Sequence, residues 1–500
     1  MASSPFLLAT VYEAGGAVTA PTGHGDETET LSCKELLHQA AAIAKTLPST
    51  PTSVAYIAHR NLDYIRCQWA IWLANHIAVP LSPHSTLRER RYIVEDSCTS
   101  HVICRPSDQS LLNDINNVAV IDLDSISLDS FRDEDITAFL TKSEDHDAML
   151  MYTSGTTGSP KGVLSTQANL FAQMTDLTTA WALGPEDRVL HFLPLHHTHG
   201  ILNNLNAPLF GGAHVECLPA ASAPAIWKTL SRTASPVTVM MAVPSIYMLL
   251  LDGLAKLSDE EQAAAVTGAK RLRLAISGSM ACPVSILERW GALTGTSLLE
   301  RYGMTECGMA LGNPLAGPRH VGYVGQPFPS VQARIAEGGE LQVRGPTLFK
   351  AYWNRPEETK KEWTDDGWFK TGDVAEYNEA LGSYRILGRA SVDIIKSAGY
   401  KLSALEIERV ILEHPQVREC AVYGVSDDTW GQIVTAVLRP DAGITTVDEF
   451  KPPLVPFLKE NLAKYKVPRT FHIVEAIPKN AMGKVNKKSL PSIFDGQPAP

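Results

Sequence analysis

Paired cysteines at metal-ligand spacing are missing from this sequence. Its eight cysteines (Cys33, Cys67, Cys98, Cys104, Cys217, Cys282, Cys307 and Cys420) are scattered, with no C-x-x-C pair and no Cys/His cluster. That argues against a zinc ribbon or a disulfide scaffold and reads as reduced, mostly buried thiols. Long apolar runs are missing as well. None reaches the roughly 18 residues needed to span a bilayer, so no integral membrane segment is expected. Basic charge is in the minority, 44 Lys and Arg against 54 Asp and Glu for a formal net charge of −10. Nothing in that balance draws the chain to nucleic acid or an anionic membrane. No Lys or Arg precedes Lys34, whereas Glu13, Asp26, Glu27 and Glu29 are acidic, which argues against a secretory signal and an Arg-rich transit peptide. The C-terminal GQPAP is no peroxisomal address. The expected compartment is the cytoplasm, with the mitochondrion as the alternative for a longer natural chain. Internal repeats and low-complexity tracts are absent too.

What is present suffices for two domains: 500 residues, 44% of them hydrophobic, exceed what one core usually serves. Helical periodicity runs from Leu31 to Leu47, with Ser32 as N-cap and Glu35 as its capping-box partner. Ser53 to Ala58 then reads as a strand, Asn61 to Ala74 as a helix, Ala78 to Pro80 as extended, Leu87 to Asp96 as a helix and Thr99 to Ile103 as a strand. The acidic stretch from Asp108 to Asp147 holds a peripheral strand at Val118 to Ile121. Further on, strands are expected at Arg188 to Phe192, Val237 to Met241 and Arg273 to Ser277, and helices at Asn169 to Trp181 and Pro244 to Leu254. This alternation predicts an α/β fold with parallel-rich sheets covered by helices. The texture changes near Gly388, and the remaining stretch, about 110 residues, describes a small α+β unit of domain size. Two domains are expected, 1–388 and 389–500, with Gly388-Arg389-Ala390-Ser391 as hinge.

The stretch Tyr152 to Gly162, YTSGTTGSPKG, gathers hydroxyls, glycines and one lysine in a form suited to polyphosphate. Gly155, Gly158 and Gly162 let backbone N–H groups approach an anion, Thr153, Ser154, Thr156 and Thr157 offer hydroxyls, and Lys161 adds a mobile charge. It is not a Walker A loop, because Pro160 precedes Lys161 and Gly162 follows it. Ala148-Met149-Leu150-Met151 before it is a buried-strand pattern, so the glycines fall just past a strand end, where α/β sheets place ligand loops.

This stretch resembles the phosphate-binding signature of the adenylate-forming superfamily, which includes acyl-CoA synthetases, luciferases and the adenylation domains of peptide synthetases. Further motifs match in order over nearly the whole chain. The resemblance implies a large N-terminal adenylation domain, a small mobile C-terminal domain, and ATP, Mg²⁺ and CoA as reaction partners. Thr153, Ser154, Gly155, Thr156, Thr157, Gly158 and Lys161 are then the phosphate-binding residues. In Glu300-Arg301-Tyr302-Gly303-Met304-Thr305-Glu306, Tyr302 and Gly303 belong to the nucleotide site, Thr305 reaches the α-phosphate and Glu306 holds Mg²⁺, as one carboxylate plus substrate phosphates commonly does. Asp373 of Thr371-Gly372-Asp373 takes the ribose hydroxyls, and Arg389 reaches the ribose or phosphate. In PKNAMGKV, Lys484 becomes the catalytic lysine, an ammonium placed where negative charge gathers as a carboxylate meets the α-phosphate. Lys487 and Lys488 beside it read as solvated tail lysines. The Ser397 to Lys401 segment, with Gly399 and Lys401, would approach the pantetheine of CoA in the second half-reaction. No protein nucleophile is required. Between Gly388-Arg389 and Gly399 there are nine residues, one more than the commoner family spacing, so the pivot is not assigned between Ser391 and Asp393.

The acid side is polar. On a helix after Gly200, His199, Asn203 and Asn206 would fall at i, i+4 and i+7 on one face, though the asparagines could equally serve the core. Arg301 offers a planar fork for a second carboxylate, or else a bridge to Glu300 beneath the loop. HHTHG together with ERYGMTE resembles malonyl-CoA synthetases, and SVDIIKSAGYKLSALEIE resembles the branch of acyl-CoA synthetases called family member 3. These resemblances imply malonate as substrate, with methylmalonate as a second acid, and His197, His199, Ser277 and Arg301 as its contacts. Another short-chain or aromatic acid, or a carrier protein in place of CoA, stays open. The expected partners are a small carboxylate and CoA, with no nucleic acid, on a monomer or weak oligomer.

Overall fold

The computed structural model describes residues 7–22, 27–128, 136, 140, 145–153, 160–441, 443–479 and 485–496. Local signals set many of its elements. Ser32 caps the helix Cys33–Ala44 as expected: its Oγ accepts from Glu35 N at 3.2 Å while Glu35 Oε2 accepts from Ser32 N at 2.7 Å. Thr86 and Glu89 form the same box at the start of Leu87–Asp96. Each box satisfies donors that a helix start leaves free.

Strands Ser53–Ile57 and Ile77–Leu81 are buried at every position and pair in parallel, so both faces need cover. They lie inside a seven-stranded sheet in the order Ala351–Tyr352, Lys161–Thr166, Asp147–Thr153, Ile77–Leu81, Ser53–Ile57, His101–Cys104, Ala119–Asp122. Its centre is parallel, but Asp147–Thr153 and Lys161–Thr166 run antiparallel, so the YTSGTTGSPKG stretch joins two neighbouring antiparallel strands. Helix Leu62–Leu73, buried along its whole length, backs this sheet. Trp72 Nε1 donates to Ala148 O at 2.8 Å, tying the helix to the strand that feeds the phosphate stretch.

A nine-stranded sheet has the same pattern, with a parallel centre that includes Leu299–Met304, Leu274–Ser277, Val239–Ala242, Arg188–His191 and His214–Cys217. Its edges are antiparallel, Gly308–Gly312 and then Gln326–Pro327 at one end and Thr28–Ser32 at the other. The N-terminal apolar patch is a helix, Leu7–Ala14, that buries Leu7, Leu8 and Val11. A third, antiparallel sheet of four strands follows, in which Phe369–Asn378 alternates in burial, turning Phe369, Thr371, Asp373 and Ala375 inward.

After Ser383–Arg389 come the hairpin Ile394–Ser397 and Tyr400–Ser403, helix Ala404–Glu413, strands Val417–Asp427 and Gly431–Pro440, helix Val447–Asn461 and strand Thr470–Ile473. Their apolar residues form a cluster of their own around Ile395, Ile407, Val422, Leu438, Phe450 and Leu458. Among the described residues no helix is long and apolar enough to cross a membrane.

Candidate active site

Ser154, Gly155, Thr156, Thr157 and Gly158 lie outside the described residues, as does Lys484. The base of the phosphate stretch is described. Thr153 and Lys161 are register partners on the two antiparallel strands, with Thr153 Oγ1 3.5 Å from Lys161 O. Lys161 Nζ pairs with Glu358 at 2.6 Å and sits 4.8 Å from the centre of the Tyr352 ring. The Tyr352 hydroxyl donates to Glu306 Oε1 at 2.9 Å. Lys161 and Glu306, far apart in sequence, are therefore joined through one phenol. Burial raises the Glu306 carboxyl above the usual range, while the Tyr352 hydrogen bond and the Arg389 charge oppose it. Thr305 is half-buried at the turn before Glu306.

Tyr302, Asp373 and Arg389 come together from three strands. Asp373 and Arg389 are cross-strand partners, and Arg389 Nε reaches Asp373 Oδ1 at 3.1 Å. Tyr302 donates its hydroxyl to Asp373 Oδ2 at 2.6 Å. Each carboxylate oxygen can accept a second hydrogen bond, so capacity remains for a diol. Gly303 sits at a register shift between Leu299–Met304 and Gly308–Gly312. A Cβ there would lie 2.2 Å from Gly308 O and 2.7 Å from Met309 Cε, which only glycine avoids.

On the acid side, Arg301 is 5% exposed, and its Nε and Nη2 have no hydrogen-bond partner among the described residues. Its guanidinium packs on Gly278, where a Cβ would come within 2.3 Å of Arg301 Cζ. Burial pushes Arg301 down to about 10. His199 is buried and held well below the ordinary imidazole range by burial and by the Arg301 charge. Its Nδ1 lies 3.5 Å from Ser279 Oγ, and its Nε2 has no partner among the described residues. His197 is half-buried, its ring 4.2 Å from that of His196. The cluster is a neutral imidazole beside a buried, unpaired cation, which suits an anion.

Gly399 and Lys401 are exposed on the small sheet, and among the described residues no hydrogen bond joins them to the groups above. Ser277 is not beside Arg301: it pairs with Glu300 across parallel strands and so shares the opposite face, against the Cys282 thiol. Arg301 does not bridge Glu300 either. The cation that offsets burial at Glu300 is Arg409 from the helix Ala404–Glu413. Gly322 admits it, since a Cβ there would be 2.0 Å from Arg409 Nη1. His199–Asn206 is a π-helix, not an α-helix, and Asn206 turns into the core, donating to Gln68 Oε1 at 2.9 Å and Ile201 O at 2.8 Å.

The sequence pattern of the AMP-binding enzyme family matches residues 10–353, and that of its C-terminal domain matches residues 406–484. The chain belongs to the AMP-binding enzymes. Among relatives, the mitochondrial malonate–CoA ligase of Xenopus laevis is 40% identical, covering 93% of this chain and 88% of that protein. The malonate–CoA ligase of Arabidopsis thaliana is 39% identical over 89% of this chain and 78% of that protein. Among solved structures, ATP-bound MatB from Rhodopseudomonas palustris superposes with a TM-score of 0.82 at 31% identity, over 98% of each chain. A malonyl-CoA ligase ternary product complex with methylmalonyl-CoA and AMP has a TM-score of 0.65 at 32% identity, over 94% of this chain and 97% of that one.

In this AMP-binding enzyme, motif reading missed Tyr352 and Arg409, and it named Asp393 only as a candidate pivot. Tyr352 stands in a two-residue strand, Ala351–Tyr352, that carries no motif. Asp393 accepts from Arg389 N at 3.0 Å through Oδ2 and from Lys487 Nζ at 2.6 Å through Oδ1. Lys487 is thus not a solvated tail lysine, because it is buried between Asp393 and Glu408.

Proposed function

We propose that the protein is an AMP-forming acid–thiol ligase that converts malonate, ATP and CoA to malonyl-CoA, AMP and pyrophosphate, with methylmalonate as a second acid. The observation that carries this reading is the Arg301 guanidinium, buried with two unpaired nitrogens beside neutral His199. A second carboxylate would supply its missing partner. The relatives named malonate–CoA ligases and the complex holding methylmalonyl-CoA support the same acid class.

In the first half-reaction a malonate oxygen attacks the α-phosphorus of ATP, and the bond to the β-phosphate oxygen breaks, releasing pyrophosphate. Thr153, Lys161 and the glycines and hydroxyls of residues 154–158 hold the phosphates. Tyr302 and Arg389 orient Asp373 towards the ribose, and Thr305 reaches the α-phosphate. Glu306 fits Mg²⁺, since it is a buried carboxylate whose raised proton affinity a cation would relieve. Bound there, Mg²⁺ would neutralise phosphate charge. Lys484 stabilises the charge developing at the α-phosphate. In the second half-reaction the CoA sulfur attacks the acyl carbon, the thiol proton goes to solvent, and the mixed-anhydride C–O bond breaks to release AMP.

Residues 1–388 bind ATP and the acid. Residues 389–500 carry Lys484 and rotate, bringing Gly399 and Lys401 towards the pantetheine. The higher TM-score against the ATP-bound structure, 0.82 against 0.65, supports an adenylating orientation here. A monomer or weak oligomer in the cytoplasm is proposed, the mitochondrial relatives giving the alternative compartment. The test is AMP release across a panel of mono- and dicarboxylic acids. Malonate should lead. A preference for acetate, benzoate or a fatty acid would refute the acid assignment.

A further inference from the structure

Lys479 and Val485, the described residues that flank 480–484, are joined by an antiparallel bridge. Each flank is fastened by an ammonium. Upstream, Lys479 Nζ lies 2.5 Å from Glu419 Oε2. Downstream, Lys487 Nζ lies 2.6 Å from both Asp393 Oδ1 and Glu408 Oε1, with the three side chains only 12%, 13% and 15% exposed. Glu408 Oε1 also accepts from Val422 N at 2.7 Å, and Asp393 Oδ2 accepts from Arg389 N at 3.0 Å. Gly388, at φ +128°, lets Asp393 come this near, since a Cβ there would fall 2.5 Å from Asp393 Cβ. One buried ammonium therefore ties the end of the chain to the segment after Arg389 and to the helix Ala404–Glu413.

Ile477 and Leu490 add an apolar anchor against Ala421 and Tyr423. Apolar contact resists detachment but tolerates sliding. An ammonium bridging two carboxylates from separate elements admits one register, the best-attested use of buried ions.

We propose that Lys487 is a positioning residue for adenylate formation, which clamps the base of segment 480–484 to Asp393 and Glu408 and so sets the place from which Lys484 acts. The inference rests on the proposed role of Lys484 in the first half-reaction. A shift of about 1 Å in a reacting group can cost on the order of a hundredfold in rate. Loosening the clamp should therefore depress that half-reaction and spare the second.

Lys487→Met alone would leave two buried carboxylates unpaired and could fail to fold. Lys487→Met with Glu408→Gln keeps the net charge of the trio at −1 (+1 −1 −1 before, 0 −1 0 after) and is the variant to use. In the full-length enzyme, malonate-dependent ATP–pyrophosphate exchange should fall by about tenfold or more in kcat, with KM for ATP unchanged. Thioester formation from supplied malonyl-adenylate and CoA should stay within about twofold of wild type. Glu408→Gln alone should move the same way. Equal losses in both half-reactions, or no loss in exchange, would overturn the proposal. Lys484→Ala, run alongside, separates the two readings: if it fails to split the half-reactions, the role given to Lys484 falls. If it splits them and the double variant does not, the clamp alone falls.

Discussion

The hydroxyl of Tyr302 donates to Asp373 Oδ2 at 2.6 Å, while Arg389 Nε approaches the other oxygen of the same carboxylate at 3.1 Å. Asp373 is thereby held from both sides before any nucleotide arrives. Burial and the Asp373 charge raise the phenol well above its usual range, so it stays protonated and keeps donating.

Tyr302→Phe should then free one oxygen of Asp373 without altering the space around it. A hydrogen bond to a charged group is worth about 1.5–3 kcal/mol, so KM for ATP should rise on the order of tenfold, with kcat changed much less. Initial-rate kinetics at varied ATP decide it. An unchanged KM would mean that Asp373 needs no orienting partner.

Arg301→Ala should lower kcat/KM for malonate by on the order of a hundredfold or more, because a buried carboxylate would lose its partner. Weak activity towards acetate or propionate should hold or improve. A uniform fall for every acid would show that Arg301 supports the fold instead.

The hinge can be probed with proline, which fixes φ and removes a donor. Ala390 N donates to Gly372 O at 2.9 Å, so Ala390→Pro costs a hydrogen bond as well as freedom. Ser391→Pro is the cleaner variant. It should slow one half-reaction several times more than the other. Wild-type rates in both would move the pivot elsewhere, with Asp393 next in line.

His191 gives a pH test. Burial, reinforced by Arg60, pushes its imidazole down to about 3, against about 6.5 in an unfolded chain. Below about 6.5 the unfolded state therefore binds more protons, and stability is lost progressively as pH falls towards 3. His191→Gln should flatten melting temperature against pH between about 6.5 and 4. Identical slopes for the two proteins would assign the acid sensitivity to other groups.

Much of this was legible in the sequence where the signal is local. The Ser32 and Glu35 capping box and the helix from Leu87 to Asp96 need only neighbours in sequence, and the structure has both. Signals that depend on pairing were not legible. Ser277 faces away from Arg301 because strand register decides sides, and register is a long-range property. Of the two alternatives left open for Asn206 the structure has the core one, because a spacing of i, i+4, i+7 presumes 3.6 residues per turn, whereas His199–Asn206 winds as a π-helix. Tyr352 reaches Glu306 across 46 positions, and Lys487 reaches Asp393 across 94. Neither carries a mark in its own neighbourhood that announces such a partner.

The Arg409 contact has a further consequence. Glu300 stands next to Arg301 on the strand Leu299–Met304, raised by burial and eased first of all by an arginine that belongs to the small unit. Should that unit swing away as proposed, Arg409 would leave with it and Glu300 would lose the cation that faces it. The contact exists only while the small unit is docked, so it would favour that orientation over the rotated one. The balance between the half-reactions would in this way depend on a carboxylate that touches neither substrate.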